Sequence, residues 1–119
     1  MKSYVPNKKP KQKGDRFCCK LEQFISSEYA KGELKVGDIA SALAMCERQL
    51  QRNTKIFFNM SPIEYLRKYR LNKSSLLISL GEQAQTASVE VGFNSYSYFA
   101  RCFNNEFGCS TTQFATNQR

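Results

Sequence analysis

Histidine and tryptophan are both missing from this 119-residue chain. Without histidine, the commonest general base and the commonest zinc ligand are gone, which excludes His-based triads, Cys–His nucleophiles and most catalytic metal sites. Glycine-rich phosphate loops and paired acids are lacking as well, so an enzyme would have no parts, and no catalytic residue, metal or cofactor is expected. No apolar run approaches the roughly 20 residues that a membrane-spanning helix needs. Lys2 is followed by no apolar stretch of the kind a secretory signal requires. The five cysteines, Cys18, Cys19, Cys46, Cys102 and Cys109, are odd in number and show no CxxC spacing. They are expected to be free thiols of a reducing compartment rather than a disulfide framework or a zinc site.

Positive charge is in excess. Eighteen Lys and Arg against ten Asp and Glu give +8 and a pI near 9.4, which favours a polyanionic partner. The charge is uneven. Residues 1–16 hold six bases against one acid, and residues 47–73 hold seven against two, each a net of +5. Residues 74–119 hold two bases against three acids. A membrane surface would need a helix with Lys/Arg on one face and a Trp/Phe/Leu stripe on the other, and no segment shows that. Nucleic acid is left as the polyanion. Residues 1–16, with two prolines and few apolar side chains, are expected to be a disordered basic tail or linker.

From residue 17 the periodicity is helical throughout. Phe17, Leu21, Phe24, Ile25 and Tyr29 fall on one face of a first helix closing near Gly32. Val36, Ile39, Ala40 and Leu43 predict a short second helix, broken at Ala44-Met45-Cys46, and a third starts at Glu47 with Leu50 inward. Ser61-Pro62-Ile63-Glu64 reads as a capping box with proline at the first helical position. It opens a helix over 62–80 that carries Ile63, Leu66, Tyr69, Leu71, Leu76, Leu77 and Leu80 and stops at Gly81. A short helix follows over about 82–91, then a turn at Gly92. A helix from about Ser95 to Phe107 aligns Phe99, Phe103 and Phe107, and Gly108 is its expected C-cap. Ser110 and Gln113 form a second capping-box pattern. The fold class expected is all-α, a seven-helix bundle.

The chain also repeats itself. Ala40 aligns with Ser88 and Leu43 with Val91 at an offset of 48. After one inserted residue, Leu50 aligns with Phe99, Arg52 with Arg101, Phe58 with Phe107 and Ser61 with Ser110 at an offset of 49. Each copy reads as short helix, tight turn, second helix, capping serine. This is a helix-turn-helix made twice, at about 34–60 and about 82–108, within one domain of residues 17–119. A rigid connector of roughly 28 Å suits two reading helices one DNA turn apart.

Asp38-Ile39-Ala40, Glu47-Arg48-Gln49-Leu50-Gln51-Arg52, Met60-Ser61-Pro62-Ile63-Glu64-Tyr65-Leu66-Arg67, Val91-Gly92-Phe93, Tyr98-Phe99-Ala100-Arg101-Cys102-Phe103 and Glu106-Phe107-Gly108-Cys109-Ser110 occur together and in order. In that combination the chain resembles the DNA-binding domain of AraC/XylS-type transcription regulators over about residues 17–114. The resemblance implies a seven-helix fold with two helix-turn-helix units, and sequence-specific binding of double-stranded promoter DNA. It implies regulation of transcription, usually activation, with RNA polymerase as a further partner, in the bacterial cytoplasm at the nucleoid. It places base-reading positions at Glu47, Arg48, Gln51 and Arg52 in the first unit, and at Asn94, Ser95, Tyr96, Ser97 and Arg101 in the second. The residue types agree: Arg pairs bidentately with guanine and Gln with adenine. Lys55 joins Arg48, Gln51 and Arg52 in one polar stripe opposite Leu50. Tyr96 is expected to point outward and Tyr98 to pack.

The chain departs from the family where Phe is replaced by Thr54, Gly by Asn59, two Ile and an Ala by Ala84, Ala87 and Ser88, and Pro by Thr111. A less stable second unit is the expectation. No small-molecule sensor site is expected; the chain is either a stand-alone regulator or the output part of a longer protein. The competing reading is a basic module for RNA or a protein partner, which would bind polyanions alike rather than prefer one site by about 10³-fold or more.

Overall fold

The computed structural model describes residues 13–117. Seven helices follow one another: α1 (Lys13–Glu28), α2 (Val36–Ala42), α3 (Glu47–Phe58), α4 (Pro62–Ser79), α5 (Ala84–Glu90), α6 (Tyr96–Phe107) and α7 (Thr111–Asn117). Among the described residues there is no strand, so the all-α expectation holds. No helix among them is long and apolar enough to cross a membrane. α1 begins at Lys13, so residues 13–16 of the expected tail are helical, while the tail's residues 1–12 lie outside the described residues.

The described residues divide into two compact units, residues 13–29 with 34–67 and residues 30–33 with 68–117. In the first, Phe17, Cys18, Leu21 and Ile25 of α1 are buried, as are Ile39 and Ala40 of α2, Leu43, Leu50 of α3, and Tyr65 and Leu66 of α4. Thr54 is also fully buried, and its hydroxyl is satisfied by donating to the Leu50 carbonyl at 2.7 Å. Two ring pairs, Phe17–Phe57 at 5.9 Å and Phe58–Tyr65 at 4.8 Å, supply aromatic packing in this unit.

In the second unit the buried set is Leu71, Ile78, Ala87, Val91, Phe93, Phe99 and Phe103. Phe103 is ringed by Phe99 at 5.7 Å, Phe107 at 4.5 Å and Phe114 at 5.4 Å. The apolar residues expected along α4 separate: Leu66 and Leu71 are buried, while Ile63, Leu76 and Leu80 are exposed. Tyr65, Ser74 and Ile78 take interior places instead. The Ser74 hydroxyl donates to the Leu71 carbonyl at 2.7 Å, so it is buried with its hydrogen bond made.

α1 ends at Glu28, four residues short of the expected stop at Gly32. The reason lies in the second unit, to which residues 30–33 belong. Arg70 donates an Nη2 hydrogen bond to the Lys31 carbonyl at 2.7 Å, and the Asn94 amide donates to the Gly32 carbonyl at 3.2 Å. Those carbonyls are held by side chains rather than by a continuing helix. A Cβ at Gly32 would run into the Asn94 side chain. Burial disfavours the charged Arg70 guanidinium, and Glu33 offsets part of that cost.

Candidate nucleic-acid interface

The repeat read from sequence is a repeat of hydrogen bonds. After α2, Ala44 takes a left-handed φ of 58° and its N–H bonds the Ser41 carbonyl at 3.1 Å, while the Met45 N–H bonds the Ala40 carbonyl at 3.0 Å. After α5, Gly92 takes φ 101° and bonds Val89 at 3.1 Å, while Phe93 bonds Ser88 at 2.9 Å. Both turns are therefore Schellman closures. The copies then diverge by the inserted residue, Asn94: Cys46 is the N-cap of α3 and Ser95 that of α6.

The second helices also end alike. Asn59 and Gly108 are both left-handed, at φ 57° and 72°, with N–H groups on Lys55 and Asn104. Asn tolerates this conformation better than most residues, so the replacement of the family's Gly is accommodated. Reciprocal capping boxes follow. Ser61 and Glu64 exchange bonds of 3.3 and 3.2 Å, and Ser110 and Gln113 exchange bonds of 3.1 and 3.2 Å. The Ser61 backbone N–H, then the Ser61 hydroxyl and the cations of Arg67 and Lys55, hold the Glu64 carboxyl below the usual carboxylate range.

On α3 every expected reading residue is exposed: Glu47, Arg48, Gln51, Arg52 and Lys55. Leu50 and Thr54 fill the opposite, buried side. The Glu47 carboxylate leans back over α2, 3.4 Å from where a side chain on Gly37 would begin, and sits in the first turn where the helix dipole favours an acid. Among the described residues, no acid forms an ion pair with Arg48 or Arg52. The result is an exposed, predominantly basic, hydrogen-bonding helix face on which Arg48 and Arg52 have no acidic partner among the described residues.

The second unit is built differently. Asn94 commits one amide N–H to Gly32. The Ser95 hydroxyl caps α6 by accepting from the Tyr98 N–H at 3.2 Å. Tyr96 is exposed as expected, yet its ring lies 5.9 Å from Phe99 and its hydroxyl 3.5 Å from that of Thr111. Thr111 is buried in the position where the family carries Pro, and its hydroxyl gives the tyrosine a partner that proline could not. Both tyrosines are exposed, Tyr96 at 38% and Tyr98 at 42%, and Tyr98 also packs as expected, with its ring against Phe93 at 6.1 Å and under the Arg101 guanidinium at 5.8 Å. Sequence reading missed the contact of Tyr98 with Arg101; the spacing of three residues between them was the available signal. Ser97 and Arg101, four residues apart, share the exposed side of α6.

All five cysteines are free, and no group of three or more potential metal ligands exists among the described residues.

Residues 39–117 match the family model for a helix-turn-helix domain. The chain is 38% identical over 72 residues to the HTH-type transcriptional regulator YdeC of Bacillus subtilis (strain 168), a match covering 60% of this chain and 25% of that protein. It spans 7% to 37% of the length of three further curated relatives. Among solved structures, the C-terminal domain of AraT, a response regulator from Geobacillus stearothermophilus, superposes with TM-score 0.80 at 22% identity, covering 89% of this chain and 88% of that one. An AraC-type transcriptional regulator from Chromobacterium violaceum gives TM-score 0.80 at 20% identity over 87% and 92%. These two likenesses concern the fold.

Proposed function

Because the chain belongs to the AraC/XylS-type helix-turn-helix family of DNA-binding transcription regulators, we propose that it is not an enzyme and that it activates transcription by inserting α3 and α6 into two adjacent major-groove segments of a promoter. In this reading Arg48, Gln51, Arg52 and Lys55, with Glu47 at the helix start, read bases and grip phosphates in the first segment. Ser97 and Arg101 read the second, while Asn94, Ser95 and Tyr96 set the approach of α6 to the groove. RNA polymerase is the second partner, and the place of action is the bacterial cytoplasm, on the nucleoid.

The observation that carries the reading is the exposed basic face of α3, repeated in outline on α6 behind the same Schellman closure. A solvated helix face has no reason to recur with the same closures and caps. Bidentate Arg–guanine and Gln–adenine pairs give such a face about 1–3 kcal/mol of discrimination per base.

Selection of bound sequences from a random duplex library at about 150 mM salt tests it. Two enriched half-motifs about one helical turn apart are expected. A single half-motif would confine reading to one unit. No enrichment would replace the proposal with a sequence-blind basic module.

A further inference from the structure

Arg101 is the single basic residue between Ser74 and Gln118, so α6 has one cation with which to address DNA. Its guanidinium carbon sits 5.8 Å from the centre of the Tyr98 ring, within the range of a cation–π contact. The two residues are three apart on α6, the spacing that makes helical side chains neighbours. Tyr98 is itself buttressed. Its ring lies 6.1 Å from that of Phe93, which is buried in the turn and packs edge-on against Phe99 at 5.1 Å. A line of support therefore runs from the core through Phe93 and Tyr98 to the exposed guanidinium.

We propose that Tyr98 is a positioning residue that holds Arg101 ready to read a guanine. A guanidinium resting on a ring uses its flat face, while its five N–H donors lie in its plane and remain available for O6 and N7 of the base. Stacking and bidentate reading are thus compatible, and ordering the long side chain beforehand lowers the cost of ordering it at association. The first unit lacks the device, because the position equivalent to Tyr98 is Gln49 and its reading face carries three cations. The second unit orders one cation where the first deploys several. This inference rests on α6 being a base-reading helix.

The test uses the full chain, the duplex enriched by selection, and duplexes with each base pair of the second half-site replaced in turn. Arg101→Ala is expected to reduce the preference for one G·C pair about tenfold or more. Tyr98→Leu is expected to reduce the same preference about two- to five-fold, Tyr98→Phe to preserve it, and Tyr98→Leu combined with Arg101→Ala to do no more than Arg101→Ala alone. In the free protein, NMR should show the Arg101 side-chain protons shifted by the ring current, with the shift kept in Tyr98→Phe and lost in Tyr98→Leu. Absence of that shift in the wild type, or a Tyr98→Leu variant that weakens all sequences equally, overturns the positioning role. If the ring-current shift is present but Arg101→Ala leaves base preference intact, base reading by α6 fails, and the positioning role falls with it.

Discussion

At the scale of single residues, side chains of one type do different work according to their surroundings. Arg52 stands exposed on α3, whereas Arg70 is half-buried and holds the Lys31 carbonyl. Arg52→Ala should therefore cost about 1–3 kcal/mol in specific binding and relax preference at one position, with the thermal melt unchanged; titration against selected and scrambled duplexes, beside a melting curve, measures both. The cysteines separate in the same way. Burial in the first unit, helped by the charge of Asp15, pushes the Cys18 thiol up to about 11, while Cys46 is exposed at the start of α3. The thiolate is the reactive form, so iodoacetamide at pH 8 should label Cys46 well before Cys18, as read by peptide mass spectrometry. Equal labelling would mean that the first unit opens readily.

At the scale of elements, each copy of the motif has one thinly packed helix, and not the same one. By the offsets of the repeat, Ile39 and Ala40 of α2 correspond to Ala87 and Ser88 of α5, and Thr54 of α3 corresponds to Phe103 of α6. The expected weakness of the second unit therefore narrows to α5, because the aromatic cluster around Phe103 fills the space behind α6. Replacing Ile by Ala in a packed core costs about 2–5 kcal/mol, an upper guide where neighbours have adjusted. Amides of α5 should exchange with solvent faster than those of α2, while α6 is protected at least as well as α3. Uniform protection across both copies would refute this. The cap of α4 adds a pH dependence. Glu64 has a folded-state pKa below its unfolded value, so its contribution is complete above the unfolded pKa and disappears as pH falls through the folded one. The drop in melting temperature caused by Glu64→Ala should accordingly be larger at pH 7 than at pH 3.

At the scale of the whole molecule, positive charge is concentrated in residues 1–16 and 47–73. Residues 1–13 carry five lysines and no acid. Their deletion should lower the dependence of log affinity on log salt by about 0.9 for each phosphate that these lysines neutralise, without altering the selected sequence. A changed sequence preference would show that this segment reads bases. The two units also differ in how they would address DNA, one through a basic face and one through a single guanidinium, so the first half-site is expected to dominate affinity and the second to add selectivity.

The sequence by itself determined the seven helices, the two copies of the motif and the caps. These depend on local matters: a 3.6-residue apolar period, a serine three residues before Glu64 or Gln113, a glycine at a left-handed position. It also marked the α3 face, because four polar side chains on one stripe opposite Leu50 need no partner from elsewhere to be recognised. Only the tertiary structure decided where α1 ends, since Arg70 and Asn94 take carbonyls that lie more than 35 residues away in the chain. It alone gave Tyr96 and Tyr98 their partners, Thr111 for one and Phe93 for the other, because hydrogen bonds and ring contacts between distant residues leave no period in a sequence.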